Sequence, residues 1–198
     1  MNTEVIDKSS VFAYELRYIT NERYLKDVKF LISLLPDYFF VVPASSTGKY
    51  HPSFSQGKGG LLRHTKVAVK IAIELLENET IGNQFSESDK ELIVISLILH
   101  DGLKKGPIEE KYTRIDHPLL ISNLVKINQN NLNFDEQELK KLTRMLERHM
   151  GQWNTDYYNK IVLDKPKTNL EKFVHMCDFL SSKRFLDIKF DNKNNIID

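Results

Sequence analysis

The chain has a single cysteine, almost no net charge and no long hydrophobic run, and each of these scarcities removes a class of protein. Cys177 alone excludes a disulfide framework and a cysteine-rich zinc module, and it fits a reducing compartment. With 28 basic and 27 acidic residues, no global field recruits nucleic acid or an anionic membrane, so a polyanionic substrate must be met by local charge. No apolar stretch approaches the ~20 residues of a membrane span. Residues 1–7 show no basic flank followed by an apolar core, so neither a span nor a secretion signal is expected, and a cytoplasmic location is. Repeats, long low-complexity segments and convincing linkers are also missing, so one domain over residues 1–198 is expected.

What is there reads mostly as helix, which makes the expected fold class all-α. Residues 21–35 carry an apolar stripe at Tyr24, Val28, Leu31 and Leu35 that stops at Pro36. Residues 43–60 form a turn-rich loop too long for an ordinary connector, which points to a functional role. A helix then begins after Gly60, with Val67, Ala68, Ile71, Ala72 and Leu75 expected on the face of His64. The next helix is expected to start with a capping box from Ser88 to Glu91. It is apolar nearly all round to His100, with Gly102 as its stop, and reads as the central helix. A third helix opens at His117-Pro118, proline suiting a first turn. A fourth opens at Asp135 and places Leu139, Leu142, Leu146 and His149 on one stripe before Gly151. The last strong helix is capped by Thr168 with Glu171 and carries Asp178 among apolar neighbours. Residues 185–190 alternate with period two, so a short C-terminal strand or hairpin is expected before the polar stretch 192–195.

The most informative feature is His100-Asp101, at the end of the most apolar stretch of the chain, residues 92–99. Burying a carboxylate and an imidazole together costs several kcal/mol unless something pairs with them, and a divalent cation is the strongest available partner. His64, His117, His149 and Asp178 fall on or beside helices and supply co-ligands. A single histidine on an apolar helix face is usually a core residue; several of them accompanied by two acids point to a site. Imidazole nitrogen and carboxylate oxygen without thiolate suit manganese, iron, cobalt, nickel, zinc or magnesium.

The order His64, His100-Asp101, Asp178 resembles the H…HD…D signature of the HD-domain metal-dependent phosphohydrolases, an all-helical superfamily. The resemblance runs from about residue 50 to 184 and extends to the text around the signature, Gly60-Leu61-Leu62-Arg63-His64-Thr65 and Cys177-Asp178-Phe179-Leu180-Ser181-Ser182. It implies an HD-domain-like helical bundle, a metal held by those four side chains, and hydrolysis of phosphate esters in nucleotides or nucleic acids. Relatives with two metals carry further histidines between the HD pair and the last aspartate, where His117 and His149 stand. Two ions are therefore expected, with one ion and supporting histidines as the alternative. Many relatives read HD-x-G-K; here His100-Asp101-Gly102-Leu103-Lys104 keeps the lysine and moves the glycine, so the loop is expected to turn differently.

Two cations sharing Asp101 would generate a nucleophile from water at neutral pH and clamp the oxygens of an in-line displacement. Asp101 and Lys104 are the catalytic candidates, Lys104 as the neutraliser of a phosphate oxygen or, equally, as a solvated lysine beside Lys105. The substrate-binding candidates are His51, Lys58, Gly59, Gly60 and Arg63. The glycine-rich entry to the helix at Gly60 can receive a phosphate on its amides or can be a tight turn needing positive φ. His175 is expected to support the site rather than ligate, and Trp153 either stacks a base or packs. The function expected is cleavage of a phosphodiester bond in a nucleotide or short nucleic acid. The alternatives are a mononuclear nucleotidase or dNTP triphosphohydrolase, and an inactive nucleotide-sensing module.

Overall fold

The computed structural model describes residues 7–45, 51–184, 189–190 and 196–197. Residues 1–6, the loop residues 46–50, the alternating stretch 185–188 and the polar stretch 191–195 lie outside the described residues. Among the described residues the α-helices are α1 (Glu22–Ser33), α2 (Gly60–Glu77), α3 (Glu79–Gly82), α4 (Glu87–Leu99), α5 (His117–Ile127), α6 (Glu136–Arg148) and α7 (Asn169–Ser181), joined in part by short 3-10 turns. The fold is all-α. Two two-residue strands, β1 (Lys189–Phe190) and β2 (Ile196–Ile197), pair antiparallel near the C-terminus.

Helix α4 is the hub. Residues 91–99 are all buried, as expected of a helix that is apolar on every side, and it packs against α1, α2, α6 and α7. Its start differs from the capping box expected at Ser88 and Glu91. The cap is Ser86, whose hydroxyl accepts from the Asp89 amide at 3.1 Å. Ser88 instead pairs with the Tyr24 hydroxyl at 2.7 Å. The buried Glu91 carboxylate accepts from the Thr20 hydroxyl at 2.6 Å and from the amides of Thr20 and Asn21, so a tertiary partner has claimed it. Gly102 is not a left-handed stop either. A Cβ there would lie 2.6 Å from Leu35 Cδ2, so close packing requires the glycine, while the positive φ of this loop falls at Gly106, at 88°.

On α2 the buried stripe is Leu61, His64, Thr65, Ala68, Ala72 and Leu76, whereas Val67, Ile71 and Leu75 are only half-buried at its flank. The reading of His64 as inward-facing holds although the stripe is rotated from the expected one. Helices α6 and α7 both begin with capping boxes, Asp135 with Glu138 and Thr168 with Glu171. Glu171 does more than cap. It also accepts from Arg144 at 2.9 Å, Arg148 at 3.0 Å and the Lys167 amide at 2.7 Å, locking the end of α6 to the start of α7.

Burial alone would raise the pKa of Glu171, but the Lys167 amide, Arg148 and the other donors override it and bring it from 4.5 down to about 2. The depressed folded value means that Glu171 stabilises the native state above pH ~4.5 and loses that contribution as pH falls toward ~2. Glu171→Gln is therefore expected to be less stable than the wild type at pH 7, with the gap in urea midpoint closing as pH falls through this window. A gap independent of pH would show that the charge of Glu171 is not what matters.

Candidate metal centre

Five helices deliver six side chains to one place. His64 comes from the second turn of α2, His100 and Asp101 from the C-terminal end of α4, His117 from the start of α5, His149 from the end of α6 and Asp178 from the last turns of α7. His64, His100, Asp101, His117 and His149 are at most 2% exposed. The Asp178 side chain is 16% exposed and opens onto a cavity.

The imidazoles are oriented by their Nδ1 atoms. Nδ1 of His100 donates to the Leu97 carbonyl at 2.7 Å, that of His117 to the Arg114 carbonyl at 2.5 Å, and that of His149 to the Leu146 carbonyl at 2.7 Å. A carbonyl only accepts, so these rings carry the proton on Nδ1 and, when neutral, a lone pair on Nε2. In His64 the same result comes through Ser181. Its hydroxyl gives its hydrogen to the Asp178 carbonyl at 2.7 Å and so accepts from His64 Nδ1 at 3.1 Å.

All four Nε2 atoms converge on carboxylate oxygens. Oδ2 of Asp101 lies 3.6 Å from His64 Nε2 and 3.4 Å from His100 Nε2, and Oδ1 of Asp178 lies 3.0 and 3.5 Å from the same two nitrogens. Oδ1 of Asp101 turns the other way, 3.0 Å from His117 Nε2 and 3.8 Å from His149 Nε2, which are themselves 3.2 Å apart. The two oxygens of Asp101 thus divide the donors into two groups, each of a size to hold one metal ion.

Burial and neighbouring charges set the character of both groups. Burial and the positive character of His100 and His117 press the pKa of His149 down to about 3, so His149 is neutral at pH 7. Its Nε2 lone pair then lies 3.8 Å from Asp101 Oδ1 and 3.2 Å from His117 Nε2. These three atoms, Asp101 Oδ1 and the two Nε2 nitrogens, form a set that one cation could share. In the other group, burial opposes a charge on His100, yet the Asp101 and Asp178 carboxylates prevail and carry its pKa up to about 10. Even so, the buried His100 Nε2 makes no hydrogen bond among the described residues. Burial would raise both acids, but Lys104 and His100 hold Asp101, and His100 and His64 hold Asp178, well below the usual carboxylate range. Donors each ~2.1 Å from a shared ion are roughly 3 to 3.4 Å apart for right-angle to tetrahedral geometry, close to the spacings observed in both groups.

Lys104 reaches into the same site, its Nζ 2.6 Å from Asp101 Oδ2. His51 lines the cavity beside His64, with ring centroids 5.9 Å apart, and its buried Nδ1 has no hydrogen-bond partner among the described residues. Burial and the neighbouring Lys104 lower its pKa to about 4. The structure does not bring Lys58, Gly59, Gly60 and Arg63 to the cavity. Arg63 is committed to the carbonyls of Phe54, Lys58 at 2.9 Å and Gln56 at 2.8 Å, which ties down the loop. The amides of Gly59, Gly60 and Leu61 bond to the carbonyls of Val41, Gly57 and Val42, so none is left to cradle a phosphate. Gly59, with φ of 72°, and Gly57, with φ of 64°, serve the tight turn instead, and Lys58 is exposed. His175 donates to the His149 carbonyl at 2.6 Å and fills the space above Gly151, a supporting position as expected.

Reading the sequence missed Ser181, although it stands three residues after Asp178 on the same helix face. It also missed Lys183, Phe179, Met150 and Thr113, which line the cavity of about 500 Å³ above the six side chains. Comparisons of the chain with protein-family models, curated proteins and solved structures return no match.

Metal binding to the native state stabilises it by mass action, ~2.7 kcal/mol at a hundredfold excess over Kd, or roughly 5–10 °C in Tm for a chain of this size. Adding manganese, cobalt or zinc to chelator-treated protein is expected to raise Tm by that order, and Asp101→Asn is expected to abolish the rise. A Tm indifferent to both metal and chelator would remove the metal centre from the account.

Proposed function

We propose that this chain is a metal-dependent phosphohydrolase that cleaves a phosphodiester bond of a nucleotide or short nucleic acid. The observation that carries the reading is the division of labour at Asp101: Oδ2 faces His64 and His100, together with Asp178, while Oδ1 faces His117 and His149. Divalent ions, if bound, would be held by His64, His100, Asp101 and Asp178 on one side and by Asp101, His117 and His149 on the other, and would supply a nucleophilic water at neutral pH and charge stabilisation for an in-line displacement at phosphorus. A one-ion nucleotidase would leave the buried contact between His117 Nε2 and His149 Nε2 without a purpose, which favours the two-ion reading. An inactive sensing module is disfavoured because every donor of both groups converges.

The protein's own groups prepare the site before any substrate arrives. The backbone carbonyls of Leu97, Arg114 and Leu146 hold three rings in the tautomer that presents Nε2. Lys104 neutralises Asp101 Oδ2. In the same cavity the Lys104 ammonium stands where it could also pair with an oxygen of an incoming phosphate. His51, neutral at pH 7 because its pKa is about 4, meets the substrate through a hydrogen bond rather than a charge.

Activity is tested on bis(4-nitrophenyl) phosphate and on 4-nitrophenyl phosphate with manganese, cobalt, zinc or magnesium. The diester is expected to be the better substrate, and Asp101→Ala is expected to be inactive on both. Lys104→Met is expected to retain its bound metal while kcat/KM falls by roughly 10- to 1,000-fold, the range for loss of one electrostatic stabiliser. Failure of every metal to support hydrolysis of either ester would overturn the reading.

A further inference from the structure

The cavity above the metal centre has a second chemical character at its rim. Trp153, in the turn after α6, is 43% exposed, and its ring stacks on that of Phe179 with centroids 5.6 Å apart and planes within 20°. Phe179 directly follows Asp178, so the aromatic pair begins one residue from the metal centre. The Lys183 ammonium lies over both rings, 4.1 Å from the Phe179 centroid and 5.2 Å from that of Trp153, and it makes no salt bridge among the described residues. An exposed aromatic residue alone means little on a protein surface. Here two stacked rings and an unpaired cation share one cavity with Asp101, Asp178 and Lys104.

We propose that Trp153, Phe179 and Lys183 form a base-binding subsite, so that the preferred substrates are nucleotides or single strands carrying an unpaired base. The inference rests on the phosphohydrolase reading for the position of the phosphate, and its chemistry is separate. An indole face offers area for stacking that any nucleobase can use and a bare sugar phosphate cannot. Lys183 adds positive charge next to that face, where the phosphate flanking a stacked base would lie. The cavity volume of about 500 Å³ falls in the range of small-ligand pockets, ~300–1,000 Å³. A base still paired in a duplex has no free face to offer, and a net charge of +1 gives no overall positive field of the kind that duplex binding uses.

Trp153 is the only tryptophan, so its emission reports this subsite alone. The magnesium-loaded protein is titrated with adenosine 5′-monophosphate and with ribose 5-phosphate, exciting at the red edge of the indole band. The nucleotide is expected to change Trp153 emission saturably and to bind at least tenfold more tightly than ribose 5-phosphate, which leaves the emission unchanged. By calorimetry, Trp153→Ala is expected to lose tenfold or more in nucleotide affinity, and Trp153→Phe to stay within about threefold of the wild type. Lys183→Gln is expected to weaken binding several-fold and flatten its salt dependence. Equal affinity for the two ligands, or nucleotide binding that leaves Trp153 emission unchanged, overturns the subsite. The two readings fail separately. Base-dependent quenching in a protein that cleaves no phosphate ester supports the subsite and refutes the hydrolase; hydrolysis of bis(4-nitrophenyl) phosphate without base discrimination does the opposite.

Discussion

A carboxylate buried among four imidazoles is the constraint on which the structure turns. Asp101 is 2% exposed, and each of its oxygens faces a different pair of histidine nitrogens. Removing such a group from water is unfavourable by several kcal/mol unless strong partners surround it. Those partners come from α2, α4, α5, α6 and α7, so the arrangement of the helices and the arrangement of the donors are one problem. Lys104 supplies part of the neutralising charge, and the remaining lone pairs define what else the site accepts.

The helix ends solve the orientation problem with the same local device. The last carbonyls of an α-helix have no intrahelical partner. His100 and His149 cap the C-termini of α4 and α6, and each donates Nδ1–H to the carbonyl three residues back, Leu97 or Leu146. One hydrogen bond thereby satisfies a backbone acceptor, fixes the ring and selects the tautomer. The negative ends of the two helix dipoles also point at the site, which favours a cation there. His117 repeats the three-residue tether from the opposite kind of helix end, through the Arg114 carbonyl.

Much of this was readable from the chain. The uniformly apolar run of α4, the capping box of α7 and the proline after His117 are local signals that the fold keeps. The six candidate ligands were legible because polar residues on apolar helix faces need a reason to be there. What could not be read depends on tertiary partners. The start of α4 moved to Ser86 because Glu91 caps the chain at Thr20 and Asn21, far away in sequence. The glycine-rich entry to α2 read as either a phosphate site or a tight turn, and the structure takes the turn, because its amides and Arg63 are consumed by nearby carbonyls. The split of Asp101 between two donor groups is a matter of angles, and the sequence carries only the residues.

The central claim is that Asp101 joins two cation sites rather than bordering one. Anomalous diffraction from crystals saturated with manganese tests it directly. Two peaks are expected on opposite sides of the Asp101 carboxylate, ~3.5–4 Å apart, one against His64, His100 and Asp178 and the other against His117 and His149. A single peak at saturating metal, with His117 and His149 bonded only to protein groups, would contradict it.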